Sequence, residues 1–325
     1  MKEIIFLLLL FICPKLHAED INSLQLRQTI ILPNVQGRID HMDIDTKGQR
    51  LFVAALENNT LEVIDLKTGK IVESIKGLSE PQDVRYISDP GQIFVTNGGS
   101  GVANILDAKT FKNIKSFKFP DADNLRFDAK NKLIYVAYGD GAIGIINSDS
   151  WRKVGDIELN GHPESFQVES MGSKIFANVP QTHQIAVLDK NNKTVVGSWP
   201  VHEGWANFPM ALDEPDHRLF VGLREPPKLL VLDTGSGKTI LSLTLGSDSD
   251  DIFYDPRRRR IYVSCGAGFI YVFKQIDADH YRFISKISTG RGARTSLFVP
   301  ETKQLFVAIP RQGDQPAVIQ IYEVK

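Results

Sequence analysis

Residues 37–78 read GRIDHMDIDTKGQRLFVAALENNTLEVIDLKTGKIVESIKGL, and this stretch decides the fold. After a polar start and one short apolar segment come three more apolar segments, Leu51–Leu56, Leu61–Leu66 and Ile71–Ile75. Turn-forming polar residues separate the segments, as they do between consecutive antiparallel strands. The stretch therefore predicts one four-stranded antiparallel sheet.

The same pattern recurs six more times along the chain. Equivalent first-strand positions, termed markers, lie 41 to 44 residues apart at Ile44, Tyr86, Phe127, Val168, Leu212, Tyr254 and Phe298. A repeat of about 40–45 residues with four short strands is typical of a β-propeller blade. No helix with capping signals and no linker interrupts the series. The sequence therefore predicts an all-β, seven-bladed β-propeller of four-stranded antiparallel blades over residues 19–325.

The last repeat lacks a fourth strand, which raises the question of how the ring closes. The repeat ends in Ile319–Val324, which reads as a third strand. The strand-like segment Leu24–Ile31 precedes the first repeat and belongs to no blade. We expect these two segments to pair, because pairing would cover two open strand edges and lock the ring.

The N-terminus has the pattern of an export signal. Lys2 precedes the nine apolar residues Ile4–Ile12, and Leu16-His17-Ala18 has the form of a cleavage site. A bilayer span needs about 20 apolar residues, so this run is too short, and no other run is long enough. We expect residues 1–18 to be a signal peptide and the mature protein to be periplasmic or secreted, without a membrane span.

Charge and cysteine content exclude some classes of protein. The formal net charge is −1, whereas a general nucleic-acid-binding protein normally has a basic face, so no nucleic-acid partner is expected. The basic run Arg257–Arg260 is expected to be a solvated turn. After cleavage Cys265 would be the only cysteine, and its strand-like surroundings predict burial. The large core must then stabilise the fold without disulfides.

One short motif resembles a known family. Phe94-Val95-Thr96-Asn97 stands where the YVTN-repeat family carries the motif that names it, and Ile134–Ala137 and Ile261–Ser264 are looser copies. The resemblance covers residues 25–324 approximately. It implies a seven-bladed propeller, commonly exported. It carries over no catalytic residue, because the motif is structural and the family has no single chemistry.

Polar residues precede each first strand and predict a polar funnel at one end of the central channel. In a propeller these loops share a face with the loops joining second to third strands, and function concentrates in such loops. The outer row of the funnel is Asp40, Gln82, Asp123, Glu164, Phe208, Asp250 and Arg294. The inner row, one position later, is His41, Asp83, Asn124, Ser165, Pro209, Asp251 and Thr295.

The funnel and its rim supply the candidate ligand-binding residues. These are Arg38, Asp40, His41, Asp83, Asp123, Asn124, His162, Glu164, Trp205, Asn207, Asp250, Asp251 and Arg294. Trp205 is included because an aromatic side chain at a rim can stack on a ring or a peptide; alternatively, it fills a gap between blades.

Six carboxylates around one axis would repel one another unless neutral or positive groups lay among them. One interpretation is water and salt bridges to Arg294 and Arg38. A second is a hard cation, Ca²⁺ or Mg²⁺, held by carboxylate and amide oxygens. Its candidate ligands are Asp40, Asp83, Asn124, Glu164 and Asp250. A third is a transition-metal or haem site that uses His41 or His162.

Two kinds of function follow from these residues. The first is a monomeric binding or interaction module that holds a small polar ligand or a protein segment at the funnel. The alternative is a divalent-metal-dependent hydrolase or lyase of the lactonase kind, with His41 or Glu164 as general base. The chain has no nucleophile motif, phosphate-binding loop or zinc-ligand spacing. With only three tryptophans it is unlike the eight-bladed quinone-dependent dehydrogenases.

Overall fold

The computed structural model describes residues 23–325, and the expected signal peptide lies outside these residues. The strands form seven separate four-stranded antiparallel sheets. Within residues 23–325 no helix is both long and apolar enough to cross a membrane. The prediction of an all-β, seven-bladed propeller is confirmed.

The strands follow one another around the ring. The first strand is β1 (Leu24–Leu32), and blade 1 follows with β2 (Met42–Asp45), β3 (Arg50–Ala55), β4 (Thr60–Asp65) and β5 (Lys70–Ile75). Blade 2 contains β6 (Pro81–Ile87), β7 (Gln92–Asn97), β8 (Val102–Asp107) and β9 (Asn113–Lys118). Blade 3 contains β10 (Leu125–Asp128), β11 (Leu133–Tyr138), β12 (Ala142–Asn147) and β13 (Arg152–Glu158).

Blade 4 contains β14 (Phe166–Val168), β15 (Lys174–Val179), β16 (Gln184–Asp189) and β17 (Thr194–Pro200), with a short 3₁₀ turn at Pro180–Thr182. Blade 5 contains β18 (Trp205–Asp213), β19 (Arg218–Glu225), β20 (Pro227–Asp233) and β21 (Thr239–Thr244). Blade 6 contains β22 (Ser249–Asp255), β23 (Arg260–Cys265), β24 (Phe269–Gln275) and β25 (Tyr281–Ser288). The last strands are β26 (Ser296–Val299), β27 (Gln304–Ile309) and β28 (Ala317–Val324).

The seven markers occupy the same register in every blade. Ile44 pairs with Leu51 and Tyr86 pairs with Ile93, and each of the other markers likewise pairs with the residue seven positions later. The spacing in the sequence is therefore the spacing of structurally equivalent positions.

An aromatic residue one position further along the second strand joins neighbouring blades. It is almost completely buried in all seven blades, as Phe52, Phe94, Tyr135, Phe176, Phe220, Tyr262 and Phe306. Phe220 packs against Tyr254, the marker of the next blade, with ring centroids 5.4 Å apart. Phe52 and Tyr86 make the same contact at 5.6 Å. The core is thus a series of apolar layers between blades, which leaves the axis free for polar residues.

The N-terminal strand closes the ring as predicted. β1 pairs antiparallel with β28, from Leu24 opposite Val324 to Leu32 opposite Ala317. The strand order of this sheet is β1-β28-β27-β26. Strands from the two ends of the chain therefore lie in one blade, and the open edges are paired.

The basic run forms the turn that the sequence predicts, but this turn is only partly solvated. Arg258 donates hydrogen bonds to the backbone oxygens of Lys325 (3.1 Å) and Val324 (3.2 Å). Arg260 is buried and also donates to the Lys325 oxygen. Only Arg257 of the four is exposed. Solvation is limited because Arg258 and Arg260 bind the last residues of the C-terminal strand in the neighbouring blade. Cys265 is buried and free, as expected.

Candidate functional site

All seven residues of the outer row line one cavity of about 390 Å³, termed the mouth cavity. The loops between second and third strands contribute Asp140 and Gln181, and the end of β19 contributes Arg224. Arg38, His41, Asp121 and His162 complete most of the polar wall. The loops before the first strands therefore meet the second-to-third-strand loops on one face.

A second cavity of about 310 Å³, termed the inner cavity, is lined by five residues of the inner row. These are His41, Asp83, Asn124, Ser165 and Asp251. His41, Asn124 and Ser165 line both cavities and so mark the level at which the two meet. The predicted site residues are thus divided between two levels of the channel.

Arginines neutralise the carboxylates on one side of the mouth cavity. Arg224 donates a hydrogen bond to Asp250 Oδ1, and Arg294 Nε lies 3.1 Å from Oδ2 as an ion pair without hydrogen-bond geometry. Arg294 also reaches Asp248 at 2.9 Å. The Arg224 guanidinium lies 3.9 Å from the ring centroid of Phe208, which fixes its orientation. This group is termed the arginine side.

Asp40 is neutralised on only one of its oxygens. Arg38 donates to Oδ2 at 2.8 Å. Oδ1 is buried and accepts no hydrogen bond; His41 Nε2 lies 3.7 Å from it, too far to donate. Burial raises the pKa of Asp40 to about 7, although the charges of His41 and Arg38 lower it. Asp40 is therefore a buried carboxyl whose Oδ1 has no hydrogen-bond donor, although Arg38 and His41 lie beside it.

Asp123, His162 and Glu164 form the Asp–His–Glu cluster on the opposite side. One ligand atom from each lies within 4.8 Å of the others. Burial and the charge of Glu164 raise the pKa of Asp123 to about 7, against the effect of His41 and His162. Burial also raises the pKa of Glu164 to about 7, although a hydrogen bond to Asp123 lowers it. Ionising both carboxyls at neutral pH is therefore costly without added positive charge.

The ring of His162 is held by a backbone carbonyl. Its Nδ1 lies 2.6 Å from the carbonyl oxygen of Gly139 and 3.6 Å from Asp121 Oδ2. A carbonyl oxygen can only accept, so Nδ1 carries the proton and Nε2 is the nitrogen left for another partner.

His41 lies between two carboxylates. Its Nδ1 is 3.6 Å from Asp251 Oδ2, and its Nε2 is 3.7 Å from Asp40 Oδ1. Burial lowers its pKa, but Asp251, Asp40 and Asp83 together outweigh burial and raise the pKa well above 6.5. The neighbouring carboxylates therefore favour the protonated form of His41, in which the imidazole has no lone pair for a proton or a metal.

Several carboxylates of the channel hold neighbouring blades together. Asp83 accepts backbone N–H bonds from Val84 and from Leu125 of the next blade, both at 2.7 Å. Asp251 accepts one from Ser296 of the next blade at 2.7 Å. Asp43, which the sequence analysis did not select, accepts one from Tyr86 at 2.6 Å. Its signal was visible as an aspartate inside an apolar first strand.

These bonds bear on the calcium or magnesium interpretation. Asp83 lies at the inner cavity with both oxygens engaged by backbone donors, and Asp250 is held by two arginines. Asp40 and Glu164 lie at the mouth cavity, and Asn124 lies between the two levels. The five candidate ligands are therefore not gathered around one point.

Trp205 and Asn207 lie outside both cavities. Trp205 is 57% exposed and makes a T-shaped contact with His183, with ring centroids 4.4 Å apart, so it does not fill a gap between blades. It begins β18, in a segment predicted to be a loop. Asn207 is fully buried and donates to Asn178 Oδ1 and to the Gln184 carbonyl oxygen, each at 3.0 Å. Asn207 thus joins blades 4 and 5 from within.

No protein-family model matches this chain. The uncharacterised protein YncE of Salmonella typhi is 28% identical over 100 residues, which span 30% of this chain and 28% of that protein. The WD repeat-containing protein AAC3 of Dictyostelium discoideum is 28% identical over 120 residues, which span 36% of this chain and 25% of that protein. These partial matches fit a propeller repeat, and membership of the YVTN-repeat family stays a prediction.

Solved structures show the same fold. A chain in the structure of Kuenenia stuttgartiensis hydrazine synthase superposes with a TM-score of 0.76 at 17% identity, over 90% of this chain and 97% of that chain. A chain in the structure of the mitotic checkpoint complex superposes with a TM-score of 0.75 at 12% identity, over 100% of this chain and 99% of that chain. Identities this low establish the architecture, which commonly serves as a binding module, and leave the ligand to be argued from the site.

Proposed function

We propose that this protein is a binding module that holds a small, positively charged ligand in the mouth cavity. The observation that carries the proposal is the uneven charge of this cavity, whose outer row comes from all seven blades. Asp250 is matched by two arginines, whereas Asp123 and Glu164 face each other and His162.

A cation would offset the cost of ionising the two carboxyls of this cluster. The pKa values of Asp123 and Glu164 are raised to about 7, chiefly by burial, so each carboxyl resists ionisation at neutral pH. A positive ligand between them would favour the ionised forms, and the same free energy would appear as affinity. The cavity volume of about 390 Å³ falls within the range of about 300–1,000 Å³ that is usual for small-ligand sites.

The proposal is tested by thermal melting of the purified protein against three groups of compounds: amines and divalent cations, small carboxylates and phosphates, and neutral sugars. At least one cation should raise Tm, and the gain should shrink in Glu164→Gln. Glu225→Gln removes the same charge at an exposed position outside the cavities and should keep the gain. Stabilisation by anions or sugars alone would contradict a cation-binding role.

A divalent-metal-dependent hydrolase or lyase is the second candidate, and Glu164 favours it. A carboxyl whose pKa is about 7 is suited to accept a proton at neutral pH. This activity would appear as chelator-sensitive opening of lactone or ester substrates that Glu164→Gln abolishes. Turnover that persists unchanged in this variant would exclude Glu164 as the base. Absence of turnover with every metal tested would leave the binding role alone.

We further propose that the protein is exported to the periplasm or secreted and acts there as a monomer. The support is the charged and then apolar pattern before Leu16-His17-Ala18, together with a ring that β1 closes without a partner chain. N-terminal sequencing of the exported protein should begin at Glu19, and light scattering should give the mass of one chain. A cytoplasmic protein that retains Met1 would contradict export.

A further inference from the structure

We propose that the positive ligand of the mouth cavity is a divalent transition-metal ion held by Asp123, His162 and Glu164. This inference rests on the proposed cation-binding function and specifies its ligand. One imidazole nitrogen with two carboxylate oxygens is a donor set for borderline ions such as Zn²⁺, Co²⁺ or Mn²⁺. Ca²⁺ and Mg²⁺ prefer oxygen ligands alone.

The three side chains are close to the spacing that such an ion needs. Metal–nitrogen and metal–oxygen distances of about 2.0–2.2 Å place neighbouring ligand atoms roughly 3–4 Å apart. The ligand atoms of the cluster all lie within 4.8 Å of one another. Small side-chain movements would bring them onto one ion, and all three residues lie in loops that precede first strands.

The ring of His162 is already oriented as a metal ligand. Metal-bound histidines nearly always donate the other ring N–H to a carbonyl or carboxylate, which fixes the tautomer. His162 donates Nδ1–H to the Gly139 carbonyl oxygen at 2.6 Å, with Asp121 Oδ2 nearby at 3.6 Å. With Nδ1 engaged by this carbonyl, Nε2 is the nitrogen that would coordinate the ion. Gly139 follows β11 of blade 3, so the neighbouring blade sets the orientation of this ring.

A separate observation in the same cavity is a buried oxygen of Asp40 without a hydrogen-bond donor. Asp40 is 1% exposed and lines the mouth cavity, yet its Oδ1 accepts no hydrogen bond. A buried carboxyl oxygen without a donor is costly and uncommon in a folded protein. The water of a hydrated cation in the cavity would supply the donor that this oxygen lacks.

The donor set implies an exchangeable site. Closed structural sites use four protein ligands, whereas three leave a coordination position for water or another small molecule. The arginine side faces this position across a cavity of about 390 Å³. The metal would then present its open position to solvent at the mouth of the channel, where a small donor molecule can reach it.

The test is titration of chelator-stripped protein with Co²⁺ and with Zn²⁺, followed by calorimetry and, for Co²⁺, by visible absorption. We expect one ion per chain and a Co²⁺ absorption band that reports nitrogen coordination. His162→Ala should weaken binding at least tenfold and change the band, and Asp123→Asn and Glu164→Gln should weaken binding similarly. The matched controls His280→Ala and Glu225→Gln lie at exposed positions outside both cavities and should bind normally.

Each other outcome overturns the inference in a recognisable way. Metal binding that is unaffected by all three cluster variants would place the ion elsewhere. Binding of Mg²⁺ or Ca²⁺ in preference to Co²⁺ and Zn²⁺ would indicate an all-oxygen site. If amines raise Tm and no metal binds, the inference fails while the cation-binding function stands; if neither binds, both fail. Thermal melting of each variant in the absence of metal checks that Glu164→Gln, which is nearly isosteric, keeps the fold.

Discussion

The two sides of the mouth cavity carry acidic residues at the same position of the blade, but these residues differ in how their charges are neutralised. Asp250 of blade 6 is clamped between Arg224 and Arg294. Asp123 of blade 3 and Glu164 of blade 4 stand at equivalent positions, but their close neighbours are each other and His162. Asp40 is intermediate, since Arg38 satisfies one of its oxygens and leaves the other unbonded.

The difference teaches that residue type does not decide whether an acidic position is structural. A partly buried carboxylate with an arginine beside each oxygen belongs to the scaffold, because removing either partner weakens the neutralisation of its charge. A carboxyl without such a partner keeps a raised pKa and can take a positive charge from outside. The number of arginines, rather than of carboxylates, separates the two sides.

The largest expected effect comes from breaking the arginine side. Arg224→Ala removes three contacts of the arginine: its ion pair with Asp250 Oδ1, its hydrogen bond to the Ser249 carbonyl oxygen and its contact with the Phe208 ring. We expect the free energy of unfolding in urea to fall by about 3 kcal/mol, as for a mostly buried ion pair that loses one member. Arg257 is an exposed arginine of blade 6, and Arg257→Ala should change the free energy of unfolding by no more than about 0.5 kcal/mol. Equal losses in the two variants would mean that the clamp adds nothing.

A smaller effect of opposite sign is expected at the half-neutralised position. The folded-state pKa of Asp40, about 7, lies above the ordinary value of 3.8. The folded protein therefore holds this proton more tightly than the unfolded chain. The stability that the proton provides is complete below about pH 4 and is lost as the pH rises through 7.

Asp40→Asn should accordingly raise the free energy of unfolding at pH 8, by on the order of 2 kcal/mol, and by less at pH 5. Urea denaturation at the two pH values measures the difference. Asp250, which has an arginine on either side, should behave differently: Asp250→Asn should lower the free energy of unfolding at both pH values. A loss of stability in Asp40→Asn that is independent of pH would show that Arg38 neutralises Asp40 fully.

The smallest effect on stability is expected from supplying the missing arginine. Gln181 lines the mouth cavity, and its Oε1 lies 3.4 Å from the backbone nitrogen of His162. Gln181→Arg should add about 0.5–1 kcal/mol to the free energy of unfolding and weaken cation binding at least tenfold. Asn191→Arg adds the same charge at an exposed turn of blade 4 and should change neither quantity much. Undiminished cation binding in Gln181→Arg would place the cation away from the Asp–His–Glu cluster.

Much of the architecture could be predicted because the strands and turns of each blade are specified by short, contiguous stretches of sequence. The markers predict the register, since each one pairs with the residue seven positions later. The unassigned strand β1 and the missing fourth strand predict the closure onto β28. Strand patterns and turn signals depend on only a few neighbouring residues, and the same signals recur in each of the seven blades.

The site was predictable only in outline. The outer row does meet in one cavity, because equivalent positions of a closed ring face a common axis. The sequence did not predict the roles of the individual funnel residues. Asp83 holds blades 2 and 3 together through backbone donors, and Asn207 is buried between blades 4 and 5. Gly139, whose carbonyl oxygen orients His162, gave no signal in the sequence.

The sequence by itself determined the number of blades, their register, the closing strand and the polar character of the channel mouth, because these depend on local periodicity and on which edges remain unpaired. Only the tertiary structure decided which carboxylates are neutralised. Arg224 and Arg294 belong to blades 5 and 7 and reach Asp250 of blade 6 from either side. Such pairing depends on distances of a few ångströms between side chains of different blades, and the closed ring sets these distances.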